Sequence, residues 1–132
     1  MDVLVDTCVW SEVLRKKVPN PDIKLELNGL VSKGCIKMIG LIRQELLTGI
    51  KFSNQFELLR SKLSFFPDVP ISTDIYEYAA ELGNTCMSKG IQGSNVDFLI
   101  CAVAKKHRFL IYTIDGDFTH YSKAIDLEFY RP

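Results

Sequence analysis

Three short apolar runs, set between longer stretches of helical spacing, restrict this chain to one fold class. The runs are residues 2–6 (DVLVD), 35–39 (CIKMI) and 109–113 (FLIYT). They are rich in β-branched and aromatic residues and too short for helices, so each reads as a strand. Val9, Trp10, Val13 and Leu14 then recur at helical spacing, with Asp6 or Thr7 as the cap and Arg15-Lys16-Lys17 and Pro19 at the end. Similar periodicity predicts helices over residues 22–32, 41–50, 54–66 and 73–88. A loop with two glycines at 89–95 precedes another, marked by Val96, Leu99, Ile100, Val103 and Ala104. Residues 126–130 are expected to add an edge strand. Strands alternating with helices imply a parallel α/β sheet with crossover helices, built as a single domain over residues 1–132. In such sheets ligands sit beyond the carboxyl ends of the strands, and that is where chemistry is to be sought.

Charge and cysteine usage narrow the class further. Lys plus Arg and Asp plus Glu are 16 each, so no overall basic character announces a nucleic-acid binder, although local clusters can cancel in the sum. No apolar stretch approaches the ~18 residues that a membrane helix needs, and no membrane association is expected. Met1 is followed at once by Asp2 and a strand-like run, which predicts no signal peptide. Cys8, Cys35, Cys86 and Cys101 lack any zinc-ligand spacing, so reduced and mostly buried thiols in a cytoplasmic protein are expected.

The acids carry the chemistry. Asp6 ends the first strand, and Asp115 and Asp117 follow the 109–113 strand. Asp97 lies in the first turn of a helix. Glu45 falls between Leu41 and Ile42 on a helical wheel, so it flanks the apolar face while Arg43, Gln44 and Lys51 lie opposite. Each has an ordinary structural account. Asp6 can be an N-cap, and Ser94 and Asp97 have capping-box spacing. Asp115-Gly116 is a turn signal, Asp117 suits a loop or a second cap, and Glu45 could pair with a nearby Lys or Arg. Together, however, four elements would deliver acids to one edge of one sheet. Two like charges 4 Å apart repel by about 4 kcal/mol at an effective dielectric near 20, so such a cluster needs cations or protons. All-oxygen ligation without His or Cys suits Mg²⁺ or Mn²⁺, which can promote phosphodiester hydrolysis.

Four segments in order, VLVDTCVW, RQELLTG around Glu45, VDFLICAVAKKH around Asp97 and YTIDGDF, resemble the PIN domain, and within it VapC-like toxins of toxin–antitoxin pairs. The resemblance runs along nearly the whole chain. It implies a Rossmann-like α/β/α sandwich with a mainly parallel central sheet and an acidic pocket at the strand ends. It further implies a metal-dependent endoribonuclease with Asp6, Glu45, Asp97, Asp115 and Asp117 as the catalytic acids. Asp6 and Asp97 would centre one metal, Asp115 and Asp117 would share the remaining coordination, and Glu45 would orient water or help hold the ion. Thr7 and Thr113 would supply hydroxyls at the pocket wall. Water would attack the RNA phosphodiester in line, with no covalent nucleophile and ordinary roles for His107 and His120.

RNA must reach this acidic pocket, so a basic rim is expected from Arg15, Lys16, Lys17 and Lys89. The RNA target is open between tRNA, ribosomal RNA and messenger RNA. The resemblance also implies a homodimer and a cognate antitoxin. Leu27, Leu30, Phe56, Leu59 and Leu63 are the expected antitoxin contacts. The alternative is a non-catalytic PIN module that binds RNA or protein. A receiver-type domain is disfavoured because no Lys follows the 109–113 strand. A dehalogenase-type phosphatase would want D-x-D where this chain has Asp6, Thr7 and Cys8.

Overall fold

The computed structural model describes residues 1–132. Ten elements follow in order: β1 (Val3–Val5), α1 (Thr7–Leu14), α2 (Pro21–Lys33), β2 (Ile36–Lys37), α3 (Gly40–Leu47), α4 (Ser53–Leu63), α5 (Thr73–Ser88), α6 (Asn95–His107), β3 (Leu110–Tyr112) and α7 (Asp117–Tyr121). The strands form one parallel sheet in the order β2-β1-β3. Val3 pairs with Ile36 and Leu110, and Val5 with Tyr112. Successive side chains of a strand point to opposite faces, yet Val3, Leu4 and Val5 are all completely buried. Both faces of β1 are therefore covered, and the expected α/β/α arrangement of helices around a parallel sheet is what forms.

Register and capping place the sheet's carboxyl edge. The Asp6 N–H donates to the Tyr112 carbonyl at 2.9 Å, so β1 and β3 end side by side. Asp6 then turns the chain into α1, its Oδ1 accepting from the Thr7 N–H at 2.8 Å. Asn20 caps α2 ahead of Pro21, and Gly34 ends that helix at φ 67°, a left-handed conformation that glycine adopts without strain. Helix α6 is the core helix, with every residue from Phe98 to Ala104 buried. No helix is long and apolar enough to cross a membrane. All four cysteines are free thiols, three buried and Cys8 partly so.

The structure departs from expectation at three places. Residues 126–130 form no strand, only one parallel bridge between Phe129 and Ile111. The 35–39 run yields a two-residue strand, because Met38 bridges to Asp68 and Ile39 already caps α3. Helix α7, five residues beginning at Asp117, was not foreseen. In addition, Leu27, Leu30, Leu59 and Leu63 belong to the core and Phe56 is half-buried, so the expected antitoxin face is not a surface. Their spacing reported burial against their own sheet and helices. The exposed apolar residues of this region are Leu25, Val31, Phe52, Leu58 and Phe65 instead.

Candidate metal centre

Asp97, Asp115 and Asp117 each offer a carboxylate oxygen within 4.8 Å of the others. They arrive from α6 and from the β3–α7 turn. Local bonds explain each placement. Ser94 Oγ accepts from the Asp97 N–H at 3.1 Å, capping α6 and fixing Asp97 in its first turn. Asp115 Oδ1 accepts from the Asp117 N–H at 2.9 Å, which folds Asp115-Gly116-Asp117 back on itself. The structural accounts of these acids and their convergence are thus both realised, by different atoms of the same residues.

Asp6 lies beside the three, 6% exposed. Its Oδ2 accepts from Thr113 Oγ1 at 2.9 Å and from Cys8 Sγ at 3.3 Å. The Thr113 hydroxyl in turn accepts from the Asp115 N–H at 3.0 Å, so one side chain ties Asp6 to the turn bearing the other two acids. On the opposite side Thr7 Oγ1 donates to Glu45 Oε1 at 2.9 Å while its N–H holds Asp6. Glu45 is exposed and has no cationic partner. Arg43, on the same helix, is engaged with Asp68 and the carbonyls of Leu63 and Phe66. Lys89 is the C-cap of α5 and has no ion pair.

The electrostatics follow from this packing. Burial raises the Asp97 carboxyl above its ordinary value, and the charges of Asp6 and Asp115 add to it, against the Tyr121 hydrogen bond. Burial, then the Asp6 charge, pushes the Cys8 thiol up to about 11, so it remains a donor to Asp6. Tyr121 is raised by burial and by its bond to Asp97, with Asp117 and Asp115 contributing. The molecule's four ion pairs involve none of Asp6, Glu45, Asp97, Asp115 and Asp117. A carboxylate cluster with oxygen donors only and no basic partner fits a hard divalent cation.

A PIN domain family model matches residues 3–124. The chain belongs to the PIN domain family. Its fold is similar to that of FitAcB from Neisseria gonorrhoeae, with a TM-score of 0.80 at 21% identity over 98% of this chain and 96% of that one. VapBC2 from Rickettsia felis, bound to a DNA fragment from their promoter, gives 0.77 at 21% identity over 98% of each chain. A toxin–antitoxin complex from Klebsiella pneumoniae gives 0.68 at 22% identity over 89% of this chain and 90% of that one. No curated protein sequence matches the chain.

Two residues around this PIN-domain site escaped sequence reasoning. Tyr121 donates to Asp97 Oδ2 at 2.6 Å, and Cys8 donates to Asp6. Tyr121 follows Asp117 by four residues, which would have placed both on one face had α7 been recognised. Gly93 makes room for it. A Cβ there would lie 2.6 Å from Tyr121 Cε1 and 2.7 Å from both Tyr121 Oη and Phe98 Cζ. Both rings are buried, so neither yields easily. Gly93→Ala is therefore expected to cost about 1–3 kcal/mol, read as a lower denaturation midpoint, and to shift the tyrosine away from Asp97.

The raised Asp97 carboxyl has a pH signature in metal-free protein. Its protonated form favours folding, so its contribution is full below the ordinary value of 3.8 and is lost as pH rises through the raised pKa. Melting curves in EDTA should show wild type losing ground to Asp97→Asn across that window. Parallel pH profiles would mean that Asp97 bears no such load.

Proposed function

We propose that this PIN domain is a metal-dependent endoribonuclease and the toxin of a toxin–antitoxin pair. The observation that carries the reading is the meeting of Asp97, Asp115 and Asp117, with Asp6 alongside, free of any basic partner. Asp6, Asp97, Asp115 and Asp117 would hold Mg²⁺ or Mn²⁺. Such an ion stabilises charge on a phosphoryl oxygen and acidifies water. Thr7 and Thr113 keep the Asp6 carboxylate in one orientation, and Thr7 also steers Glu45. Exposed Glu45 can accept a hydrogen bond from the attacking water, while Tyr121 and the Ser94 cap hold Asp97 in place.

Basic side chains gathered on the surface support a polyanionic substrate and an acidic partner. Of the expected rim, Lys16 is paired with Glu12 at 2.7 Å. Arg15 and Lys17 instead line a groove with Lys51, Lys62, Phe52 and Leu58, and no acid lines it. Cations around an apolar floor suit an acidic amphipathic segment such as an antitoxin would present. The toxin–antitoxin assemblies among proteins of the same fold support that partner. A homodimer belongs to the same reading, and Tyr76 and Met87, both more than half exposed beside an apolar recess, are candidates for its interface.

Incubating purified protein with tRNA and with single-stranded RNAs, in Mg²⁺ or Mn²⁺ with and without EDTA, tests the activity. Cleavage that EDTA abolishes is expected. Intact RNA under every metal condition would leave a module that only binds.

A further inference from the structure

A second recess, of about 190 Å³, opens against the acid cluster. Thr113, Asp115, Gly116, Thr119, Phe129 and Arg131 contribute to its wall. Two of them also build the metal centre: Asp115 is one of the three converging carboxylates, and Thr113 holds Asp6. Whatever fills this recess therefore touches the reacting region directly.

Another part of the wall has a different character. The Arg131 guanidinium lies over the Phe129 ring, 5.2 Å from its centroid. It takes part in none of the four ion pairs. The cation thus rests against an aromatic ring, and no carboxylate claims it. Unpaired bases stack on such guanidinium planes, and the N–H fork pairs with phosphate. A carboxylate-bearing ligand would meet Asp115 at close range. A neutral base would not, and an exocyclic amine could donate to that carboxylate or to the Thr119 hydroxyl.

We propose that this recess seats one unpaired nucleobase of the RNA, that of the nucleotide next to the bond being cut, stacked on Arg131. The assignment rests on the nuclease reading and adds to it a source of nucleotide preference. Its small volume accepts one ring system rather than a length of strand, so the preference should fall at a single flanking position.

The test uses full-length protein and single-stranded oligoribonucleotides that vary one nucleotide at a time on each side of the cut. Wild type should show unequal kcat/KM at one flanking position. Arg131→Ala should raise KM about tenfold, the effect of losing one stacking contact, and flatten that preference. Arg131→Lys keeps the charge but not the plane, so it should recover part of the KM loss and none of the preference. With 2-aminopurine at that position, fluorescence quenching before product forms should appear with wild type and vanish with Arg131→Ala. Arg131 is exposed, and unchanged melting curves would confirm that both variants fold. Wild-type preference and quenching in both variants would overturn the assignment while leaving the nuclease intact. A KM rise equal for all four nucleotides would also overturn it, reducing Arg131 to a phosphate contact. Absence of cleavage by wild type with any metal would instead fell the nuclease reading.

Discussion

Asp6→Asn should reduce RNA cleavage by about 100- to 1000-fold, the loss found when one group stabilising a charged transition state is removed. The fold should survive. Asn caps helices about as well as Asp, and its carbonyl can still accept the Thr7 N–H that Asp6 Oδ1 accepts now. The new amide would face the Thr113 hydroxyl and the Cys8 sulfur, and the hydroxyl can turn to accept. The substitution also removes a negative charge that raises Asp97. Melting in EDTA should therefore stay within about 1 kcal/mol of wild type, or rise. Mg²⁺ should stabilise wild type by mass action and the variant much less. Collapse of the fold, with no metal effect on wild type, would reduce Asp6 to a helix cap.

Ile100→Ala should show the opposite pattern, a large loss of stability with chemistry intact. Ile100 is completely buried in α6, which packs on α5 and β3. Removing its outer carbons costs their transfer from water plus the cavity left behind, about 3 kcal/mol for Ile→Ala. For a chain of this size that lowers the melting temperature by about 10 °C. Ile100→Val should lose only about 1 kcal/mol. Asp97 lies one turn earlier and keeps its Ser94 cap and its Tyr121 bond, so well below the melting point cleavage should remain within a few-fold. A loss of activity matching that of Asp6→Asn at a temperature where Ile100→Ala is fully folded would contradict this separation.

The contrast mirrors what the sequence could convey. Periodicity located all three strands and six of the seven helices, because burial against a sheet imposes spacing that a linear reading detects. Helix α7 was invisible because five residues are too few for a period. The Phe129 bridge was overstated because apolar residues at 126–130 pack without continuing the ladder. For the acids, position relative to strand ends sufficed to suggest one shared edge. What remained hidden was pairing across the fold. Nothing linear indicates that Thr113 reaches Asp6, that Tyr121 holds Asp97, or that Arg43 is committed to Asp68 and leaves Glu45 unpaired. Likewise Leu27 and Leu59 look the same on paper whether they face a partner or their own interior.

Asp6 and Asp117 lie near opposite ends of the chain, yet Thr113 and the turn after β3 unite them. Neither carboxylate reaches its place until β3 has docked beside β1, so the acid pocket is a product of the assembled sheet rather than of any one segment. A change that loosens the β1–β3 seam should consequently disperse the acids and weaken cation binding along with the sheet itself.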